Sequence, residues 1–161
     1  SPTPPNYAFK GTAARTKGYE LEVSGELSPG WSLQAGYTHK VVRDDTGKKI
    51  STFEPEDQLS FYTIYKLKGD LDKVSVGGGL RWQNTVWQDI YNSPKGTTDE
   101  FSQESYWVVD LMTRYQFTKN LSTTLNLNNV FDKHYYTNVG FYNSAIYGAP
   151  RHFMLTTRWD F

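Results

Sequence analysis

Spaced histidines, clustered carboxylates and loop tyrosines are the residues here with types suited to chemistry. His39, His134 and His152 lie far apart, and none belongs to a ligand-spaced pair. Nothing in that spacing marks a metal site. Asp44, Asp45, Glu54 and Glu56 gather in one stretch, but they lack the Asp-x-Asp-x-Asp-Gly pattern with a closing glutamate that wraps calcium. They read as the charged tip of a hairpin built on Asp44-Asp45-Thr46-Gly47. No Gly-x-Ser-x-Gly elbow occurs and cysteine is absent, which removes the main serine-hydrolase motif, thiolate chemistry and a disulfide framework. Gly77-Gly78-Gly79 is no phosphate loop, because it sits inside an alternating run with no helix after it. Glycine there allows close approach by another element. Asp110 and Arg114 share one face of a run and can join a charge network.

The aromatic residues carry more. Tyr91, Phe101, Tyr135, Tyr136, Phe141, Tyr142 and Tyr147 concentrate in two polar or aromatic stretches, residues 91–103 and 133–150. Rings there either pack loop on loop or line a site for a flat, electron-rich, weakly charged ligand. No catalytic set accompanies them.

The elements that must hold those stretches are strands. Period-two alternation recurs from end to end, and apolar spacing at i, i+3, i+4 does not. Tyr19, Leu21, Val23 and Leu27 alternate with Glu20, Glu22, Ser24 and Glu26. Three glutamates on one face require that face to be wet. Similar runs cover 31–38, 58–67, 74–83, 106–117, 121–132 and 151–161. In the last, Phe153, Leu155, Thr157, Trp159 and Phe161 oppose His152, Met154, Thr156, Arg158 and Asp160. Short turns at 28–30, 68–72 and 118–120 alternate with long connections at 44–54, 91–103 and 133–150. Short periplasmic turns at one end and long extracellular loops at the other are the membrane-barrel arrangement. That order starts the first strand near Tyr7, on the loop side.

Ring placement points the same way. Trp31, Phe117, Trp159 and Phe161 fall near the short-turn ends of their runs on the apolar face, and Trp107 and Phe131 near the loop ends. Two such belts mark the two interfaces of a membrane.

Composition agrees. The chain has 161 residues, 16% aromatic content and a formal net charge of zero, one domain's worth with no Lys/Arg run to neutralise a nucleic acid. Mean hydropathy is low, at -0.65, and no stretch reaches the ~20 apolar residues of a membrane helix, whereas ~9–11 alternating residues suffice for a tilted barrel strand. Residues 1–6, Ser-Pro-Thr-Pro-Pro-Asn, lack the basic and apolar regions of a signal peptide. Seven runs make an odd count, and an open sheet leaves unpaired edges. The expected chain is therefore all-β, an antiparallel up-and-down piece of a larger transmembrane barrel. Residues 1–161 form its seven C-terminal strands, entered inside a surface loop, with both edges completed by strands elsewhere.

Several blocks resemble one family. Lys17-Gly18-Tyr19-Glu20 and Pro29-Gly30-Trp31 match the usual opening of the C-terminal barrel portion of TonB-dependent siderophore receptors. Asn128-Asn-Val-Phe-Asp-Lys133, Tyr135-Tyr136, Tyr147-Gly148, Pro150-Arg151 and a strand ending on an aromatic residue resemble its terminal block. Within the family, Ser105-Tyr-Trp-Val-Val-Asp-Leu-Met112 and Tyr136-Thr-Asn-Val-Gly-Phe-Tyr142 are similar to ferripyoverdine receptors.

The resemblance implies a barrel of ~22 strands in the outer membrane, plugged by an N-terminal domain that this segment lacks. A ferric siderophore binds above the plug, and TonB supplies energy through the absent N-terminal part. Iron travels on the siderophore, so no cofactor and no protein metal ligand is required. Outer-membrane lipid and the barrel-assembly machinery complete the implied partners, with Phe161 part of the assembly signal. Tyr142 matches a tyrosine of the aromatic pocket that receives the chromophore, with Phe141, Tyr147 and Tyr91 as further candidates. Two other readings stay open at this point. A small outer-membrane barrel enzyme would need eight strands and a convergent Ser/His/Asp set. A soluble lipocalin-like carrier would not turn its rings outward in two belts.

Overall fold

The computed structural model describes residues 13–92, 94–139 and 144–161. Its strands are β1 (Ala14–Ser28), β2 (Trp31–Asp44), β3 (Asp57–Lys66), β4 (Val74–Gln83), β5 (Val86–Asn92), β6 (Thr97–Gln103), β7 (Tyr106–Gln116), β8 (Leu121–Asn128), β9 (Tyr136–Val139), β10 (Ala145–Tyr147) and β11 (His152–Trp159). Seven of these form one antiparallel sheet in the order β1-β2-β3-β4-β7-β8-β11. They are the seven alternating runs, joined up and down in chain order. The described part of the first strand begins at Ala14, and the start expected near Tyr7 lies outside the described residues.

Two of the three long connections are not plain loops. The 91–103 stretch carries the end of β5 and all of β6, and the 133–150 stretch carries β9 and β10, each pair a separate two-stranded sheet. Phe131, expected at the end of an alternating run, lies in a turn beyond β8.

Cross-strand register fixes two faces. On one, Val23 stands opposite Ala35, then Phe61, Leu80 and Val109. The next row runs Gly25, Leu33, Thr63, Gly78, Leu111, Leu127, Phe153. On the other face, Glu22 meets Gly36, then Ser60 and Arg81. A one-residue slip would exchange the faces, so the alternation itself pins the register. The apolar face is the exposed one, with Leu21, Val23, Phe153 and Leu155 all open. The buried cluster Tyr106, Val108 and Tyr135 sits at the loop end, and Tyr106 and Val108 belong to the polar face. An apolar face this continuous calls for a nonpolar surrounding, which lipid provides.

Turn chemistry sets the short ends. Gly30 takes φ 84°, a left-handed value that glycine adopts freely. Its N–H donates to Glu26 Oε1 at 2.7 Å, and its carbonyl accepts from Lys66 N–H. The triple glycine of β4 is crowded by its neighbours. A Cβ on Gly77 would meet the Thr63 carbonyl and the Met112 side chain, and one on Gly79 would meet the Tyr62 ring. Close approach is thus made by adjacent strands.

Candidate functional site

The loop end is built from one asparagine outward. β8 stops at Asn128, and the chain turns through Asn129 and Asp132, both at φ 51°. Asn and Asp are the side-chain-bearing residues that best tolerate this region. Asn129 is buried, and its Nδ2 donates to the carbonyls of Lys133 (2.9 Å) and Ala149 (3.0 Å). Its Oδ1 accepts from Lys133 N–H at 2.8 Å, and its own N–H donates to Asp110 Oδ1 at 2.8 Å. Asp132 Oδ1 accepts from Arg151 N–H at 2.9 Å. Together these bonds tie the two ends of the 133–150 connection to β7.

The expected Asp110–Arg114 network divides. Arg81 of β4 donates to the second Asp110 oxygen at 3.1 Å, while Arg114 donates to Gln116 Oε1 and Ser122 Oγ. Asp110 therefore joins β4, β7 and the terminal turn.

Tyr135 packs its ring 4.5 Å from that of Tyr106. Gly148 closes on it from the far side of the connection: its N–H donates to the Tyr135 carbonyl at 2.8 Å, and a Cβ there would fall inside the Tyr135 ring. Gly148→Ala in the complete protein should cost about 1–3 kcal/mol, the usual range for overpacking. Denaturant unfolding in bilayers reads it, and an unchanged midpoint would show that the ring can swing aside.

Above this, three rings line up across the two hairpins. Tyr136 of β9 stands 5.4 Å from Phe101 of β6 and 4.6 Å from Tyr147 of β10. The Tyr136 hydroxyl donates to Tyr147 Oη at 3.1 Å, and Tyr136 N–H donates to Gln103 Oε1 at 2.9 Å. That hydrogen bond to Tyr147, with some desolvation, raises the Tyr136 pKa above the ordinary phenol value. The raised value keeps the Tyr136 phenol protonated near pH 7. A neutral aromatic surface suits a flat ligand that stacks.

The structure places the expected ligand residues unevenly. Tyr147 lies in the stack and is exposed. Tyr91 lies on β5 opposite Thr98. Phe141 and Tyr142 lie outside the described residues. Tyr135 turns inward to pack. Gln103 and Asn129 were not singled out by sequence. For Asn129 the usable signal was an Asn-Asn pair at a strand end, where a left-handed turn is cheap.

Three of the four acidic side chains at the hairpin tip, Asp44, Glu54 and Glu56, have partners within it. Asp44 Oδ1 accepts from the Thr46 hydroxyl and from the N–H groups of Thr46 and Lys48, and the Thr46 hydroxyl leads in holding its carboxyl below the usual range. Lys40 pairs with Glu54, and Lys49 with Glu56.

The rings expected at strand ends are all exposed: Trp31, Trp107, Phe117, Phe131, Trp159 and Phe161. Trp31 Nε1–H donates to Thr63 Oγ1 at 2.9 Å and packs edge-on to Tyr65. Trp107 lies 5.7 Å from Trp82, and Phe117 4.8 Å from Tyr115.

Residues 1–130 match the family described as TonB dependent receptor-like, beta-barrel. The chain belongs to this family. It is 65% identical to the ferripyoverdine receptor of Pseudomonas aeruginosa, over 99% of this chain and 20% of the relative. It is 42% identical to the ferric-pyoverdine BN7/BN8 receptor of Pseudomonas putida, over 91% of this chain and 17% of the relative. A crystal structure of the ferripyoverdine receptor of the outer membrane of Pseudomonas aeruginosa, bound to ferripyoverdine, superposes with a TM-score of 0.91, 65% identity and coverage of 99% of this chain and 22% of that one. The chain thus spans about a fifth of the length of the curated relatives it matches. Within the TonB-dependent receptors, the seven-stranded sheet is a partial wall of an outer-membrane barrel, with the apolar face toward lipid and the polar face toward the lumen. A soluble lipocalin-like carrier is excluded by this membership.

Proposed function

We propose that this chain is the C-terminal part of the barrel of an outer-membrane receptor that takes up a ferric siderophore, ferripyoverdine. The observation that carries the reading is 65% identity to a ferripyoverdine receptor across 99% of the chain. The role is transport without catalysis, and iron arrives already chelated by its siderophore. The wall needs strands beyond β1 and β11, an N-terminal plug and TonB. Trp31, Phe117, Trp159 and Phe161 stand at the periplasmic interface, and Trp107 and Phe131 at the extracellular one.

In cells whose sole pyoverdine receptor contains this segment, radiolabelled ferripyoverdine should enter in a TonB-dependent manner. Absence of uptake at normal receptor abundance would overturn the reading.

Tyr142, with Phe141, Tyr147 and Tyr91, belongs to the chromophore-binding surface in this proposal. Rings gathered from the two hairpins, with Tyr136 5.4 Å from Phe101 and 4.6 Å from Tyr147, support it. An aromatic contact is worth about 0.5–1.5 kcal/mol beyond its buried area, and 1.4 kcal/mol is one decade in affinity. Tyr142→Ala in the complete receptor should therefore weaken ferripyoverdine binding about tenfold. Titration on intact cells decides it, and unaltered affinity would assign Tyr142 to loop packing.

A further inference from the structure

The connection between β2 and β3 departs from its own ladder, and it does so at a costly backbone angle. Beyond β2 the chain turns at Asp44 and runs back along the same strand, with Arg43 bridged to Lys49 and Ile50 N–H donating to the Val42 carbonyl at 2.9 Å. The ladder resumes where the Glu56 carbonyl accepts from Lys40 N–H at 2.8 Å, just before β3. Between Val42 and Lys40 the register asks for one partner residue, yet the chain supplies residues 51–55. Ser51 opens this excursion at φ 57°, the left-handed region that a residue with a side chain enters at a cost. Such angles persist only where the surroundings impose them, and they gather at sites that clamp or position. Glu54 N–H closes the turn on the Ser51 carbonyl at 3.0 Å. Lys40 Nζ holds Glu54 at 2.5 Å, and Lys49 Nζ holds Glu56 at 2.7 Å.

What the excursion holds is the root of hairpin β5–β6. The Thr52 carbonyl accepts from the N–H of Trp87, the second residue of β5, at 3.0 Å. Asn84, between β4 and β5, donates its N–H to the Asp57 carbonyl at 3.0 Å, and Thr85 Oγ1 accepts from Ser105 N–H at 3.2 Å. Packing adds little beneath the excursion, where Val42, Ile50, Thr52, Asn84 and Trp87 border a cavity of about 240 Å³. The tie to Trp87 therefore depends on the backbone course that Ser51 sets. These bonds run among β2, β3, β4 and β5, away from the open edges at β1 and β11. One residue beyond Trp87, Gln88 pairs with Phe101, whose ring meets Tyr136.

We propose that residues 51–55 form a strap that positions hairpin β5–β6, with Ser51 as its positioning residue, so that Phe101 is set beside Tyr136 before a flat ligand arrives. Ser51 touches no ligand in this proposal and acts through Thr52 and Trp87. A hairpin already in place spares binding an ordering cost, so loosening it slows association by the fraction of receptor that is no longer competent. Dissociation is governed by contacts in the assembled complex and keeps its rate. The ligand half of the proposal rests on the uptake reading, and the hold on Trp87 does not.

The test uses the complete receptor, with deuterium exchange at the Trp87 amide reading the strap and rapid-mixing ferripyoverdine binding reading the site. In one variant a single threonine replaces residues 51–55, which the register accommodates. Trp87 exchange should rise at least about tenfold, and ferripyoverdine association should slow about tenfold with dissociation unchanged. Exchange at Met112, in the middle of β7, should stay as it was. Faster exchange at both amides would mean general loosening and would overturn the strap. Unchanged association would overturn the positioning role, and so would a loss confined to dissociation, which would place residues 51–55 in contact with ligand. If wild type does not bind ferripyoverdine at all, the uptake reading fails, and Trp87 exchange still decides whether the strap holds the hairpin. Should the shortened variant fail to insert, Ser51→Val leaves the length intact and sets a β-branched residue at a left-handed angle. Its Trp87 exchange should rise about tenfold, whereas Ser51→Gly, which accepts the angle, should stay within about threefold of wild type. Equal exchange in the valine variant and wild type overturns the proposal.

Discussion

Leu125→Arg should destabilise the complete receptor by roughly 2–4 kcal/mol in a bilayer, the cost of a cation at the midplane of a barrel's lipid face. Leu125 occupies the middle of β8, between Thr113 of β7 and Leu155 of β11, in a row that continues the apolar face. It is exposed there, and lipid is the only medium in which that exposure costs little. Thr124, one residue away, lies between Arg114 and Thr156 on the lumenal face. Thr124→Arg would meet water and one neighbouring cation, a penalty below about 1 kcal/mol. Unfolding of both variants in the same bilayer gives the comparison. Equal penalties would reverse or abolish the assignment of faces.

The same two residues show why the wall was legible in sequence. Alternation is local: each strand states its own two faces without reference to partners. Turns such as Pro29-Gly30 and Gly69-Asp70 are marked by their own residues. What lies above the wall obeys different physics. β5–β6 and β9–β10 pack on each other in water, so no lipid imposes a clean apolar face, and Thr97-Thr98-Asp99-Glu100 reads as polar loop. β9 has four residues and β10 three, too few for any period to show. Phe131 looked like a strand position because Leu125, Leu127 and Phe131 keep even spacing. The left-handed turn at Asn129 breaks the strand first.

Partners across long connections were the least accessible. Asp110 suggested a charge network, yet its cation is Arg81, brought across by the β4–β7 register rather than by spacing along one strand. In the aromatic group, type and placement were enough to nominate Tyr147. They could not separate it from Tyr135, because which ring turns inward depends on Tyr106 and on the space left by Gly148. A ring cluster assembled from several connections is specified by all of them together.

Asn129→Ala should open the terminal connection by about 3 kcal/mol. The substitution removes the acceptor for Lys133 N–H and the donor to the Lys133 and Ala149 carbonyls, and each buried group left unpaired costs about 1–3 kcal/mol. Alanine at φ 51° adds about 1 kcal/mol, and solvent entering the loosened turn recovers part of the sum. Three decades would need more than 4 kcal/mol, so exchange of the Lys133 amide with deuterium should rise about a hundredfold. Exchange at Met112, in the middle of β7, should stay as it was. Asn129→Gly separates the causes, since glycine accepts the backbone angle but supplies no side-chain bonds. If the hydrogen bonds dominate, the glycine variant opens nearly as much as the alanine one. If backbone strain dominates, it remains close to wild type. The rings of Tyr136 and Tyr147 hang between the two ends that Asn129 joins, at Lys133 and Ala149. Under the proposed function, opening that tie should therefore weaken ferripyoverdine binding even though Asn129 is buried. A variant with fast Lys133 exchange and full affinity would show that the proposed ligand surface is held by the β5–β6 hairpin instead.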